Sequence, residues 1–372
     1  MSAVLAGALV VALGIFISAT NASVSFSYAV TDLGALPGDL ISFAFDINDL
    51  GQVVGYSNPG KRKSKYDPAD PDHAFLWQNG NMTQLPTPNG RSSSSATGIN
   101  NSGVVVGSSY NNNATVSMGV IREQPRAALW NQGTATNLAA PNGNSSLYYT
   151  AASINSKQQV VGSTLGSSSP ESAYPLYHAI LWQNAQTSDL GTLGGTYSAA
   201  NSINNAGQVV GYATNSNNVY RAFLWQQNRM IDLGTLDGKP NSTSSAYKIN
   251  NYGLIVGYST TTSNYTHAFL WRRGNMIDLG TLTDRNYSTA YGINNLGQVV
   301  GVSYGSGNVG ISTHAFLWKN KQMYDLNSLL APNSGWELTT ASSINNKGQI
   351  VGTGVHNSQT HAFLLTPTWV IR

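Results

Sequence analysis

The chain has 372 residues, a net charge of +3, only 9% charged residues and no cysteine. The lack of cysteine excludes disulfide bonds, thiolate metal ligands and cysteine nucleophiles. The small net charge gives no reason to expect a nucleic-acid partner, because such partners are bound through an excess of cations.

The N-terminal segment is apolar from Ala3 to Ala19. This run is long for the core of a signal peptide and short for a membrane-spanning helix. Small residues at Thr20 and Ala22 favour cleavage after Ala22, although no Lys or Arg precedes the run. We expect a signal peptide over residues 1–22 and one domain over residues 23–372. The alternative is that residues 1–22 are retained as a hydrophobic helix, in a membrane anchor or a filament core.

The rest of the chain is dominated by a repeat with the pattern A-x-x-I-N. The pattern occurs seven times, at intervals of 44 to 55 residues. Its alanines are Ala44, Ala96, Ala151, Ala200, Ala246, Ala290 and Ala341. No unit shows the 3.6-residue periodicity of a helical repeat. Regular units of this length predict one stacked body rather than several domains.

Each unit predicts four short strands. The first carries A-x-x-I-N, and a tight turn such as Asn204 to Gly207 leads to a second strand reading QVVGY. A loop of variable length precedes the third strand, HAFLW, and a short turn such as Arg272 to Asn275 leads to the fourth, MIDLGTL. Asn and Gly supply the positive φ angles of tight turns, while Val, Ile, Phe and Trp are typical strand residues. Such small sheets bury both faces by packing around an axis, so the units predict an all-β, seven-bladed β-propeller.

The two ends of the repeat region are complementary. The last unit stops after its third strand, HAFLL, at His361 to Leu365. The missing fourth strand stands near the start of the chain as YAVTDLGAL, from Tyr28 to Leu36. We expect this N-terminal strand to pair with the last blade, because a closed ring removes exposed strand edges.

The chain resembles the HAF repeat family of extracellular proteins in its motifs HAFLW, DLGTLGG and INNAGQVVG, over roughly residues 28–365. The resemblance implies propeller-like repeats and secretion or surface exposure, and it implies no established enzyme activity. Units two and three depart from the pattern. RAALW (126–130) and HAILW (178–182) replace HAFLW, and ATNL (135–138) replaces IDLG.

Several polar and aromatic residues recur once per unit. Their regularity favours a structural role: Arg replaces the repeated His twice, and Arg has no lone pair for a metal. We expect the His and Arg to donate hydrogen bonds between blades, and the repeated Asp is one candidate acceptor. We also expect the tryptophans to pack between blades and the asparagines after Ile to satisfy the first turn. The sets are His73, His178, His267, His314 and His361 with Arg126 and Arg221; Asp32, Asp189, Asp232, Asp278 and Asp325 with Gln84 and Asn137; and Trp77, Trp130, Trp182, Trp225, Trp271 and Trp318.

The loops that follow strands two and four are long and unequal, and they share one face of the predicted propeller. Recognition groups usually lie on such loops, and tyrosine beside Ser, Gly and Asn suits recognition. The candidates for ligand or partner binding are Tyr66, Tyr110, Tyr148, Tyr149, Tyr174, Tyr177 and Trp336, and the same face is predicted to carry Tyr197, Tyr220, Tyr265 and Tyr287. Weak candidates for a calcium site are Asp67, Asp70 and Asp72. Glycosylation sequons stand at Asn81, Asn113, Asn144, Asn241, Asn264 and Asn286.

No nucleophile elbow, phosphate loop or zinc helix occurs. The predicted function is therefore a secreted or cell-surface module that binds a protein or glycan, or assembles with itself, without cofactor or catalysis. One alternative is a filament or surface-layer subunit that keeps residues 1–22. The other is an extracellular carbohydrate-active enzyme, for which Asp39 or Asp46 would have to meet Glu337 as a carboxylate pair.

Overall fold

The computed structural model describes residues 24–60, 71–111, 125–143, 148–166, 176–305 and 312–371. These residues form seven four-stranded antiparallel sheets, which confirms the predicted seven-bladed β-propeller. Three 3-10 helices lie between strands, at Pro88–Gly90, Pro141–Gly143 and Leu326–Leu329. Among the described residues, no helix has the length and apolar character needed to cross a membrane.

The first four blades follow one another along the chain. Blade 1 consists of β2 (Ile41–Ile47), β3 (Val53–Asn58), β4 (His73–Gln78) and β5 (Asn81–Gln84). Blade 2 consists of β6 (Ser93–Ile99), β7 (Val105–Tyr110), β8 (Arg126–Asn131) and β9 (Thr134–Asn137). Blade 3 consists of β10 (Tyr149–Ile154), β11 (Val160–Gly166), β12 (Leu176–Gln183) and β13 (Gln186–Asp189). Blade 4 consists of β14 (Gly194–Ile203), β15 (Val209–Asn215), β16 (Tyr220–Gln226) and β17 (Arg229–Asp232).

The last three blades complete the ring. Blade 5 consists of β18 (Ser244–Ile249), β19 (Ile255–Thr260), β20 (Thr266–Arg272) and β21 (Asn275–Asp278). Blade 6 consists of β22 (Tyr287–Ile293), β23 (Val299–Tyr304), β24 (Thr313–Lys319) and β25 (Gln322–Asp325). Blade 7 consists of β26 (Trp336–Ile344), β27 (Ile350–His356), β28 (Gln359–Ile371) and, from the N-terminal end, β1 (Val24–Gly34).

Blade 7 is closed by the N-terminal strand, as the sequence predicts. β1 pairs with β28 in the register Val30 to Leu365. Both strands continue past the end of β27, because Leu365 is the last β28 residue that β27 pairs. Residues 24–29 and 366–371 therefore pair only with each other, as a two-stranded ribbon beyond the sheet.

The core lies between adjacent blades. One cluster combines Val210, Ala222 and Leu224 of blade 4 with Ala246 and Phe269 of blade 5, and all of these residues are buried. The indole Nε1 groups of two tryptophans also donate across a blade boundary. Trp130 donates to the carbonyl of Pro86 at 2.7 Å, and Trp182 to that of Ala139 at 2.9 Å. The repeated tryptophans therefore serve the packing of blades, as expected.

A circle of hydrogen bonds surrounds the axis. The seven asparagines after Ile each donate from Nδ2 to the backbone carbonyl of the equivalent asparagine in the next blade, at 3.0–3.1 Å. The Oδ1 atom of the same side chain accepts the backbone N–H groups two and four residues ahead, as in Asn250 with Tyr252 and Leu254. The predicted turn role is confirmed, and the link between blades is additional. The members are Asn48, Asn100, Asn155, Asn204, Asn250, Asn294 and Asn345.

The repeated histidines pair with the repeated aspartates inside one blade, which corrects the expectation of bonds between blades. Nδ1 of His178 lies 2.6 Å from Asp189, and Nδ1 of His314 lies 2.7 Å from Asp325. The correction follows from register, because the third and fourth strands of a blade are neighbours in the sheet. His73 is different: blade 1 has Gln84 in the aspartate position, and His73 bonds Asp39 at 2.9 Å.

The His178–Asp189 pair predicts a pH dependence of stability. The hydrogen bond that Nδ1 of His178 donates to Asp189 raises the pKa of His178 above 6.5, against the effect of burial. Burial alone would raise the pKa of Asp189, but the bonds from His178 and the Gly191 N–H lower it below 3.8. The histidine contribution is complete below pH 6.5 and is lost as pH rises through the raised pKa. The aspartate contribution is complete above pH 3.8 and is lost as pH falls through the lowered pKa.

We therefore expect His178→Gln to lower the free energy of unfolding most between pH 3.8 and 6.5 and less above that range. Urea denaturation over a pH series measures this difference. Arg221 occupies the same position in blade 4, and a guanidinium is a permanent cation, so the deficit of Arg221→Gln should not shrink between pH 6.5 and 8. Equal alkaline profiles for the two variants would contradict the role of the imidazole.

Candidate functional site

The strand order gives the propeller two unlike faces. We call the face with the connections after the second and fourth strands of each blade the loop face, and the opposite one the turn face. Of the sequence candidates, Tyr110, Tyr148, Tyr149, Tyr177 and Trp336 lie at strand ends on the loop face. The remaining candidates Tyr66 and Tyr174, the aspartates Asp67 and Asp70 and the sequons Asn113 and Asn144 lie outside the described residues.

Four of the sequons fall on described residues. Asn81, Asn241 and Asn264 are exposed, and Asn286 is half-buried. Their glycosylation stays a prediction.

The loop face carries four separate groups of tyrosine ring contacts, which together we call the tyrosine arc. Ring centroids in it lie 5.0 to 6.3 Å apart, as in Tyr287–Tyr304 at 5.0 Å and Tyr177–Tyr197 at 6.3 Å. The arc runs from blade 3 to blade 6 and consists of Tyr177, Tyr197, Tyr212, Tyr220, Tyr247, Tyr258, Tyr265, Tyr287, Tyr291 and Tyr304. Flat, half-buried aromatic rings with polar tips suit the binding of ligands that are apolar on one side and hydroxylated on the other.

The hydroxyl groups of Tyr212, Tyr258 and Tyr291 stay protonated at neutral pH. Burial, and next the neighbouring Tyr220, raise the pKa of Tyr212 above 10.0. Burial, and next Tyr304, raise the pKa of Tyr258 and Tyr291 in the same way. These phenols therefore offer neutral hydrogen-bond donors to a bound ligand.

Half of the tyrosine arc was missed by the sequence reasoning, which considered loops alone. Tyr247 and Tyr291 stand directly after the repeat alanine in the innermost strands, and Tyr212 and Tyr258 follow the glycine of the second strand. Tyr304 ends β23. The available signal was a departure from the repeat, because blades 2 and 3 have Thr97 and Ala152 where blades 5 and 6 have tyrosine.

A phenol and a carboxylate meet at the boundary of blades 1 and 2 on the loop face. The hydroxyl of Tyr110 donates to Oδ2 of Asp72 in a short hydrogen bond. Oδ1 of Asp72 accepts the amide of Asn58 at 3.0 Å, so that the carboxylate is held from two sides. Burial, and next the charge of Asp72, raise the pKa of the nearby Tyr56 to about 12.

Two cations lie beside this pair. The guanidinium of Arg126 is 5.2 Å from the ring centroid of Tyr149, and burial raises the pKa of Tyr149 although Arg126 and Arg91 oppose the rise. Arg91 also donates to the backbone carbonyl of Ser109, next to Tyr110. A phenol, a carboxylate and cations thus share this part of the loop face.

The described residues support neither the candidate calcium site nor the candidate carboxylate pair. In the part of the chain that the structure describes, no three His, Cys, Asp or Glu side chains are grouped to hold a metal. Asp39 is 2% exposed and is bonded to Ser57 and His73. Asp46 bonds Ser343, which stands six residues after Glu337 on β26, a separation of about 20 Å at the rise of a strand. Asp46 and Glu337 therefore do not meet as the carboxylate pair of the enzyme alternative, because Asp46 of β2 lies beside one end of β26 and Glu337 stands at the other.

The central channel is bridged by an ion pair. Nζ of Lys248 in blade 5 lies 3.0 Å from Oδ1 of Asp46 in blade 1, and Ser343 donates to the same oxygen at 2.7 Å. Oδ2 accepts the backbone N–H of Ile99 in blade 2 at 3.2 Å. A β-bulge between Ala44 and Asp46 turns the carboxylate toward the axis. The carboxylate thereby connects four blades.

Comparison with known proteins supports the fold at very low sequence identity. No protein-family model and no curated protein matches the sequence. The structure is similar to a puromycin-hydrolyzing peptidase of Mycobacterium tuberculosis, with 10% identity, a TM-score of 0.56 and coverage of 93% of this chain and 56% of the peptidase. It is also similar to an acylaminoacyl peptidase of Pyrococcus horikoshii, with 10% identity, a TM-score of 0.51 and coverage of 88% and 52%. The chain spans about half the length of these two peptidases.

These comparisons correct the prediction of a module that catalyses nothing. Two structures that share the fold are peptidases, so this architecture is one that enzymes contain. Catalysis was excluded because no familiar catalytic motif occurs and because the resembling family implies no established activity, and these grounds do not suffice for a propeller. At 10% identity the likeness establishes the fold and transfers no activity.

Proposed function

We propose that the protein is a carbohydrate-active enzyme that binds glycans on the loop face and uses Tyr110 and Asp72 as its reacting pair. The observation that carries the proposal is the hydrogen bond that the Tyr110 hydroxyl donates to the Asp72 carboxylate. The Tyr110–Asp72 pair lies on the same face as the tyrosine arc, whose rings suit the apolar faces of sugar rings.

The chemistry requires an activated nucleophile. Most glycoside hydrolases use two carboxylates, but a tyrosine nucleophile is a known exception. Asp72 is placed to accept the proton of Tyr110 as the phenol oxygen attacks the anomeric carbon and the glycosidic C–O bond breaks. The departing oxygen takes a proton from water, the resulting hydroxide cleaves the glycosyl–tyrosine bond, and Asp72 returns its proton to the phenol oxygen. Asn58 holds the carboxylate in position, and Arg91 and Arg126 add positive charge nearby that suits an acidic sugar.

An extracellular or cell-surface location belongs to the same proposal. It is supported by the apolar run from Ala3 to Ala19 and by the resemblance of the repeats to the HAF family. Glycans of the cell surface are the substrate class that this location makes available.

We expect Tyr110→Phe to lower the rate of glycoside hydrolysis by at least about 100-fold, since it removes the attacking oxygen and keeps the ring. Asp72→Asn should lower it similarly, because the amide cannot accept the proton. A panel of fluorogenic glycosides, neutral and acidic, provides the measurement.

The control is Tyr324→Phe. Tyr324 lies in the fourth strand of blade 6, outside the tyrosine arc, and its hydroxyl donates to Oε1 of Gln322 at 2.9 Å. Its hydrolysis rate should remain within a few-fold of the wild type. Full activity of Tyr110→Phe, or a wild-type protein that cleaves no glycoside in the panel, would remove the proposal.

A further inference from the structure

Charge is segregated between the two faces. The turn face carries seven cations among the described residues: Lys157, Arg229, Arg272, Arg273, Lys319, Lys321 and Lys347. All of them except the half-buried Lys319 are exposed. The one described carboxylate on that face is Asp49, whose oxygens accept hydrogen bonds from Asn101 and Asn346. A net charge of only +3 thus conceals a strongly positive surface.

Three large apolar side chains project from the same face. Leu50, Tyr252 and Leu296 are 62%, 77% and 71% exposed, and we call them the apolar tips. Each occupies the same place in the turn between the first and second strands of its blade. The turn does not need them, because the preceding asparagine makes its hydrogen bonds, and Ser102 and Ala206 fill this place in other blades.

The apolar tips stand next to cations around the ring. The residues at this place in the turn, in order through blades 5, 6, 7 and 1, are Tyr252, Leu296, Lys347 and Leu50. Arg272 and Arg273 lie on the outer turn of the same blade as Tyr252, and Lys321 on that of Leu296. Apolar side chains that protrude among cations match a surface with anionic groups above an apolar layer.

We propose that the turn face docks on an anionic lipid bilayer, with the apolar tips in the headgroup region and the cations against acidic lipids. Leu and Tyr gain by entering the interface, and each Lys or Arg adds attraction to an anionic surface. A soluble polyanion would engage the cations and make no use of the tips. This inference goes beyond the proposed enzyme activity, because the surface lies on the face opposite the tyrosine arc.

The path of the chain supports the same orientation. The ribbon of residues 24–29 and 366–371 extends from blade 7 on the turn face, since β1 and β28 run on beyond the paired end of β27. The apolar run from Ala3 to Ala19 precedes that ribbon in the sequence. A chain that keeps this run would therefore insert it from the side that carries the apolar tips.

Flotation with vesicles tests the proposal on the full chain. We expect binding to vesicles of phosphatidylcholine with phosphatidylserine, and weaker binding as salt increases. Neutralising two cations in Arg272→Gln/Arg273→Gln should weaken it roughly 30-fold, at a factor of about five for each charge. Leu50→Ser/Leu296→Ser should also weaken it, and serine fits the turn because blade 2 has Ser102 there.

The control removes two cations from the loop face, in Lys239→Gln/Arg285→Gln, and should bind as the wild type does. Thermal melting verifies that each variant remains folded. Binding to phosphatidylcholine alone that no variant changes would assign attachment to residues 1–22 and overturn the proposal. Binding that the serine variant retains and soluble heparin abolishes would also overturn it, in favour of a polyanion ligand.

Discussion

Replacing Gly257 by alanine is expected to lower the free energy of unfolding by about 3 kcal/mol. A Cβ atom at Gly257 would lie 1.9 Å from the carbonyl oxygen of Ser245 and 2.9 Å from Cα of Ala246. Both are backbone atoms of β18, the neighbouring strand, so no side chain can rotate away to relieve the clash. Relief requires separation of the two innermost strands of blade 5.

Urea denaturation of Gly257→Ala and of Gly305→Ala measures the effect. Gly305 is the matched control, because the nearest atom to its Cβ position is the carbonyl oxygen of Asp284 at an ordinary 3.5 Å. We expect its stability to change by no more than about 0.5 kcal/mol. If Gly257→Ala were as stable as Gly305→Ala, the close approach of β18 and β19 would be wrong.

The same contact explains why each unit has a glycine in its second strand. At all seven positions a Cβ would lie within 2.0 Å of a backbone oxygen of the first strand: Gly55, Gly107, Gly162, Gly211, Gly257, Gly301 and Gly352. A β-bulge in that strand brings the oxygen close, as between Ala246 and Lys248. The recurrence of the glycines can be seen in the sequence, but the bulge is a register shift that no residue type predicts.

The ring could be predicted because its rules are local and repeated. Seven copies of A-x-x-I-N give seven blades, and the strand missing after Leu365 is supplied from Tyr28 onward. The partner of His178 was harder to predict, because a periodic pattern does not distinguish a neighbour in the same sheet from one in the next. The register of β12 with β13 decides the question in favour of the same blade.

The candidate site could be predicted only in part, because its residues depart from the repeat. Asp46 and Lys248 stand in equivalent places of blades 1 and 5, and 202 positions separate them in the sequence. Their contact depends on the closed ring, as does that of Tyr110 with Asp72 across a blade boundary. The error about catalysis had another source, since it treated the lack of a known motif as evidence against an enzyme.

The second large effect is expected at Asn294, whose replacement by alanine should lower the free energy of unfolding by about 3 kcal/mol. Its Oδ1 accepts the N–H groups of Leu296 and Gln298 at 3.1 and 3.0 Å. Its Nδ2 donates to Oε1 of Gln298 at 2.7 Å and to the carbonyl of Asn345 in blade 7 at 3.0 Å. Asn294 is 3% exposed, so water does not readily replace these four bonds, and unsatisfied buried groups are costly.

Asn294→Asp separates the role of Asn294 in its turn from its role in the circle of hydrogen bonds around the axis. The carboxylate keeps both acceptor bonds of the turn but faces the carbonyl oxygen of Asn345 instead of donating to it. We expect it to destabilise the protein about as much as alanine, because the link between blades is part of the cost. Asn295→Ala is the control: this half-buried side chain accepts one bond, from the N–H of Asn251 at 3.0 Å, and its loss should cost about 1 kcal/mol or less. Wild-type stability of Asn294→Asp in urea would show that the turn alone matters and that the seven asparagines do not join the blades.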